Sequence, residues 1–171
     1  MEEKKVMTHF MKGFVIGLFL VATGIVFQVF GIYEKWVQWT VLGAYLIAII
    51  WACFSYSNEM EANVTFGQVF AHGFKTAAIV TLVGIAGFVF TYFLMPEVKQ
   101  KGLEMARIEM EKNPQLTADN IDQALEFTNK FFFLFGIIGS LFSYALTGLI
   151  AALIGAAIVR KNPNAGMPQS L

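Results

Sequence analysis

Two histidines, one cysteine and one close pair of carboxylates are the residues of this chain whose types best suit chemistry: His9, His72, Cys53, Glu59 and Glu61. A zinc-type site gathers three or four nitrogen, sulfur or carboxylate ligands, usually announced by short spacings. The histidines here are far apart, and a lone cysteine supports neither an internal disulfide nor a thiolate cluster. Glu59 and Glu61, in the same polar stretch as His72, are the best acid grouping available. A solvated loop accounts for them equally well. His9 follows the charged run Glu2-Glu3-Lys4-Lys5 and is expected in a frayed chain end.

Patterned chemistry is missing too. The chain has no Gly-x-Ser-x-Gly, no His-Glu-x-x-His, no phosphate-cradling Gly-x-x-x-x-Gly-Lys-Ser/Thr and no dinucleotide glycine set. No catalytic, cofactor-binding or metal-binding residue is assigned and no cofactor is implied. The expectation is a protein that is not an enzyme. Formal net charge is zero, which gives no basic field for nucleic acid.

The elements that would position these residues are membrane spans. Hydrophobic residues make up 57% of the 171, and charged residues only 14%. Soluble domains carry about 25% charge. Four apolar runs, about 13–33, 36–56, 76–96 and 131–159, each reach the roughly 20 residues that cross a hydrocarbon core. Their interiors lack ionisable side chains. The polar ones at depth are Thr23, Gln28, Thr40, Thr81, Thr91, Ser140, Ser143 and Thr147. Hydroxyls there can bond their own helix carbonyls, and Gln28 and Gln38 are placed near the interface. Intramembrane charge usually marks proton relays and ion paths, so its absence argues against proton-coupled transport.

The first two runs are joined only by Gly31-Ile-Tyr-Glu-Lys-Trp36, which forces an antiparallel hairpin. Tyr33, Trp36 and Trp39 mark one interface, Trp51 and Tyr56 the other. Phe66, Phe70 and Phe74 share one helical face, and Thr65 is a candidate cap. They predict a short amphipathic helix lying on the membrane before span three. Residues 97–130 are predicted to form an extramembrane helical hairpin, broken at Asn113-Pro114 and restarted at Thr117 or Asp119. Pairs Glu97/Lys101 and Arg107/Glu111 support its first helix, whose apolar stripe is Leu103, Ala106 and Met110. The second helix, with Ile121, Ala124, Leu125 and Thr128 on one face, is expected to run unbroken into span four. The fourth run is about 44 Å long as a helix, so it must tilt or project. The tail 162–171 is expected to be disordered. The whole chain, 1–171, is one transmembrane domain of the all-α class.

Small residues stripe span one at Gly13, Gly17, Gly24 and Gly31, and span four at Gly136, Ser140, Ser143, Thr147, Ala151 and Gly155. Such stripes let helix backbones approach closely in lipid. Packing within the chain is their expected use, with a homo-oligomer seam or a pore beside Ser140, Ser143 and Thr147 as alternatives. Four spans put both termini on one side, with six basic residues on each side of the membrane. Residues 97–130 hold seven acidic residues, which tips the orientation toward cytoplasmic termini.

The layout resembles a bacterial family of four-span membrane proteins catalogued only as a domain of unknown function. The resemblance rests on the tight first hairpin, on Thr65-Phe-Gly-Gln-Val-Phe70 leading through Gly73-Phe74 into span three, and on the long charged segment before span four. It covers nearly the whole chain and implies a bacterial inner membrane, but no activity and no site residues. The leading functional expectation is therefore a non-enzymatic membrane protein acting through association, with 97–130 as the surface for a protein partner. The alternative is a small oligomeric channel or passive transporter for an uncharged solute.

Overall fold

A computed structural model describes residues 7–162, apart from the Lys35 side chain. Its elements are α1 (His9–Val29), α2 (Lys35–Glu59), α3 (Phe66–Leu94), α4 (Pro96–Glu111) and α5 (Ala118–Ile158). Four of them, all but α4, are long and apolar enough to cross a membrane. Residues 163–171, most of the tail expected to be disordered, lie outside the described residues.

Local chemistry sets each boundary. Thr8 caps α1 by accepting the Met11 amide at 3.3 Å. That start makes His9 the first helical residue instead of part of a frayed end. At the other end of α1, Gly31 takes φ +68° while its amide donates to Gln28 O and the Ile32 amide to Phe27 O. This Schellman arrangement needs a left-handed residue just past the helix, which glycine supplies without a Cβ clash. Gly31 therefore ends the helix and takes no part in a packing stripe.

The same closure ends α2, but with side chains in place of glycine. Glu61 and Ala62 have φ 53° and 61°, and their amides donate to Asn58 O and Ser57 O. Thr65 then opens α3 with a capping box: it accepts the Gln68 amide at 3.3 Å, and Gln68 Oε1 accepts the Thr65 amide at 2.8 Å. From that cap α3 runs without interruption to Leu94. The short separate helix expected before span three is thus the first turns of α3 itself, because neither glycine nor proline breaks the backbone hydrogen bonds after Phe66. Pro96 stops α3 and starts α4, where its missing N–H costs nothing. Thr117, not Asp119, caps α5. α5 is 41 residues long and bends at Phe131 (φ −108°, ψ 15°).

α3 is the hub of the bundle and packs on α1, α2 and α5, while α4 rests on α5 and α3. The α1–α3 seam is built from small residues. A Cβ added at Gly13 would come within 2.7 Å of Ile79 Cβ and Thr76 O, and one at Gly17 within 2.8 Å of Val83. On α5, Gly136 faces Phe88, Gly148 faces Tyr45 and Ala77, and Gly155 faces Cys53. Tyr45 is fully buried, and its hydroxyl donates to Tyr144 O on α5 at 3.1 Å. Large apolar side chains such as Phe19, Trp39 and Phe142 point outward, about 70% exposed. In hydrocarbon such faces meet lipid, and close backbone packing holds the helices together.

In the polar segment, Arg107 binds Asp122 across the α4–α5 turn at 2.6 Å and approaches Glu111 at 3.8 Å. Lys101 pairs with Glu104, three residues on, and not with Glu97 as the spacing suggested. None of the α4 residues is fully buried.

Candidate functional site

Among the described residues, a half-open cleft between α1, α2 and α5 continues down to α3. Its outer part holds about 640 Å³, its inner part about 200 Å³. Both parts are lined by Gly24, Gln28, Val41, Ser140 and Tyr144. The floor is α3, at Gly84, Gly87 and Thr91, and the outer rim carries Tyr33, Glu34 and Met105 of α4. Ligand sites usually occupy about 300–1,000 Å³ and combine apolar walls with a few fixed polar groups.

Sequence and packing together explain why space is left there. Gly24 and Gly139 contact nothing that a Cβ would disturb, so the small residues that pull α1 onto α3 at Gly13 and Gly17 open a gap further along the same helix. In the floor, Thr91 Oγ1 donates to Phe88 O at 3.0 Å. Gln28 is different. Its Oε1 is buried and has no hydrogen-bond partner. An amide oxygen left dry costs about 1–3 kcal/mol, and a donor delivered by a ligand would recover that. Gln28 thus faces inward, in the last turn of α1. Of the residues proposed to line a pore, Ser140 and Ser143 border the cleft, whereas Thr147 is not part of its wall.

A second polar centre lies at the opposite end, where α1 and α3 begin and α2 and α5 finish. Lys12 Nζ sits 2.9 Å from Glu59 Oε1 with the lysine side chain fully buried. Ser55 Oγ donates to the same Oε1 at 2.6 Å. The Lys12 contact is an ion pair without good hydrogen-bond alignment, since neither Lys12 Nζ nor Glu59 Oε2 has an aligned partner. His72 stacks on Tyr56 at 4.1 Å between ring centroids and meets His9 edge-on at 6.0 Å. The two histidines are therefore neighbours, which their separation in sequence concealed. Glu61 turns away to a surface recess with Asn58, Ala62 and Arg160. No group of three or more His, Cys, Asp or Glu side chains among the described residues is arranged to hold a metal ion. Cys53 is fully buried with its Sγ 3.9 Å from Val69 O.

The sequence places Lys12 just ahead of the first apolar run, which starts at 13, and by itself gives no sign of its burial. Its place on the Gly13–Gly17 face of α1, the face that packs on α3, becomes a signal only once that packing is known.

The sequence model of a protein family described only as a protein of unknown function, DUF4199, matches residues 10–161. The chain belongs to the DUF4199 family. Apart from His9, the first residue of α1, the match spans the four membrane-length helices of this DUF4199 chain. No curated protein and no solved structure matches it.

Proposed function

We propose that this DUF4199 member is a non-enzymatic, multi-pass protein of a bacterial inner membrane, with cytoplasmic termini, that works by binding and not by catalysis. The observation that carries the reading is the buried, unpartnered Gln28 Oε1 in a cleft whose walls are mostly apolar. The fitting occupant is an uncharged solute or neutral amphiphile with an N–H or O–H donor for Gln28 Oε1 and an apolar body for Val41, Phe135 and Tyr144. The alternative function, a passive carrier, follows if that occupant leaves on both sides of the membrane.

A second reading, association with a protein partner through 97–130, has its own support. α4 exposes Ile108 and the first part of α5 exposes Phe127, apolar groups on a segment that is otherwise charged. Met105 from α4 also reaches the cleft rim, so a partner on the hairpin would bear on the cleft.

The test uses the full chain in nanodiscs with a neutral, hydroxyl-bearing diazirine lipid such as a diacylglycerol analogue. Photolabelling is expected on α1 and α5 around Gly24–Gln28 and Ser140–Tyr144, competed by unlabelled lipid. Gln28→Leu should weaken labelling about fivefold or more, the scale of one lost buried hydrogen bond, and Ser143→Leu should reduce it by filling the space. Uniform, non-competed labelling of the outer faces defeats the binding reading. A normal cleft with loss of a crosslinked protein partner on deleting 97–130 would instead favour the second.

A further inference from the structure

Where α1 and α3 begin, the bundle packs two histidines beside a buried lysine. His72 on α3 is only 8% exposed, stacked on Tyr56 of α2 and met edge-on by His9 of α1. Three residues along α1 from His9, Lys12 is fully buried against Glu59 of α2. α1 is pressed close here, since a Cβ on Gly13 would meet Thr76 O of α3 at 2.7 Å.

Histidine is the side chain whose charge changes near physiological pH, so the groups around this ring decide what a proton does. From α1 come His9 and Lys12, from α2 Glu59 and Tyr56, and from α3 itself Lys75. Past the end of α5, Arg160 lines the recess that holds Glu61, and Lys161 lies over Phe66 while donating to Ala156 O and Ala157 O. Glu59 is already committed to Lys12 and Ser55. A positive charge on His72 therefore meets Lys12, Lys75 and His9, and finds no uncommitted carboxylate among the described residues. Hydrogen bonding points the same way. Nε2 of His72 is buried without a partner. The neutral ring can leave that nitrogen bare, whereas the cation carries a hydrogen on both nitrogens and needs an acceptor there. A buried charge without pairing or hydrogen bonds is strongly disfavoured.

We propose that the His9–His72 contact is an acid-sensitive latch: the neutral rings hold the first turns of α1 on α2 and α3, and protonation releases them. The released end takes up protons that the closed end excludes. A falling pH therefore raises the open fraction, by at most about tenfold per pH unit for each imidazole involved. Release begins as the pH falls through the ordinary histidine value of about 6.5, well above the ordinary carboxylate value of about 4. α1 carries no titratable residue after Lys12, so release is confined to its first turns.

The test is hydrogen exchange of the full chain in nanodiscs, read by mass spectrometry and corrected for the intrinsic pH dependence of exchange. It runs between about pH 7.5 and about pH 5, where histidines titrate and ordinary carboxylates stay charged. In the wild type, residues 10–16 of α1 should lose protection as the pH falls, approaching tenfold per unit below about pH 6.5. Residues 140–150 of α5 should stay protected. His72→Phe keeps a ring on Tyr56 without the charge, and should make protection of 10–16 independent of pH. His9→Phe removes one of the cations that repel His72, and should shift release to lower pH. Flat wild-type protection overturns the latch. So does a pH dependence that persists in the double variant His9→Phe/His72→Phe, which assigns the titration to another group. Equal loss of protection along α5 means general acid unfolding and also overturns it. Should His72→Phe not fold, His9→Phe decides alone: a release curve that does not move overturns the latch.

Discussion

At the scale of single residues, the costliest feature is the Lys12–Glu59 pair. A fully buried ammonium is stable only against a countercharge, and Glu59 retains 23% exposure, so solvent screens part of the attraction. Lys12→Met should leave Glu59 uncompensated and lower unfolding stability by about 2–3 kcal/mol, below the range for a fully dry pair. The double variant Lys12→Met/Glu59→Met should recover most of that loss, because two well-packed apolar groups carry no desolvation penalty. Unfolding by steric trapping in bicelles measures both. An additive double variant would mean the two side chains do not interact. The left-handed backbone at Glu61 and Ala62 is the other residue-scale cost. A non-glycine residue there sacrifices about 1 kcal/mol, so Glu61→Gly should stabilise by about that amount. Among the described residues Glu61 has no ion pair whose loss would mask the gain, which is read as a higher melting temperature.

At the scale of elements, the small-residue stripe of α1 is not one surface. Gly13 and Gly17 are pressed against α3, whereas a Cβ at Gly24 would meet nothing within 4 Å. Gly17→Leu should separate α1 from α3 and destabilise by about 3 kcal/mol through overpacking, while Gly24→Leu should be nearly neutral for stability and instead narrow the cleft. Melting curves of the two variants check the difference; equal effects would mean that α1 packs along its whole length. The helices themselves were legible in the sequence because 20-residue apolar runs admit few other readings. Thr65 and Thr117 were legible as caps because a hydroxyl before a helical run has a specific job. The separate interfacial helix was misread, since a Phe-spaced face is compatible both with lying on a membrane and with the first turns of a span. Gly31 was read as a packing position because spacing alone does not distinguish a stripe from a C-terminal cap. The two polar centres were illegible for a different reason. Lys12, Glu59 and His72 lie on three helices, and Gln28 and Ser140 on two, so only the tertiary packing brings each set together.

At the scale of the whole molecule, Cys53 reports whether the bundle opens as one body. Its thiol is fully buried between α3, at Val69 and Gly73, and α5, at Gly155. A maleimide can reach it only if α2 parts from both. In the native protein, labelling should be on the order of a thousandfold slower than in denaturant, the factor expected when exposure requires an opening of several kcal/mol. The variants described above then become a test of cooperativity. Lys12→Met removes the ion-pair partner of Glu59 on α2, the helix of Cys53, whereas Gly17→Leu acts on the α1–α3 seam. If the four membrane-length helices form one cooperative unit, both should accelerate labelling by the same free energy that they remove from global stability, while Gly24→Leu should leave the rate unchanged. If Cys53 labels rapidly in the wild type, or if only Lys12→Met accelerates it, the end of the bundle that holds His72 and Lys75 opens by itself.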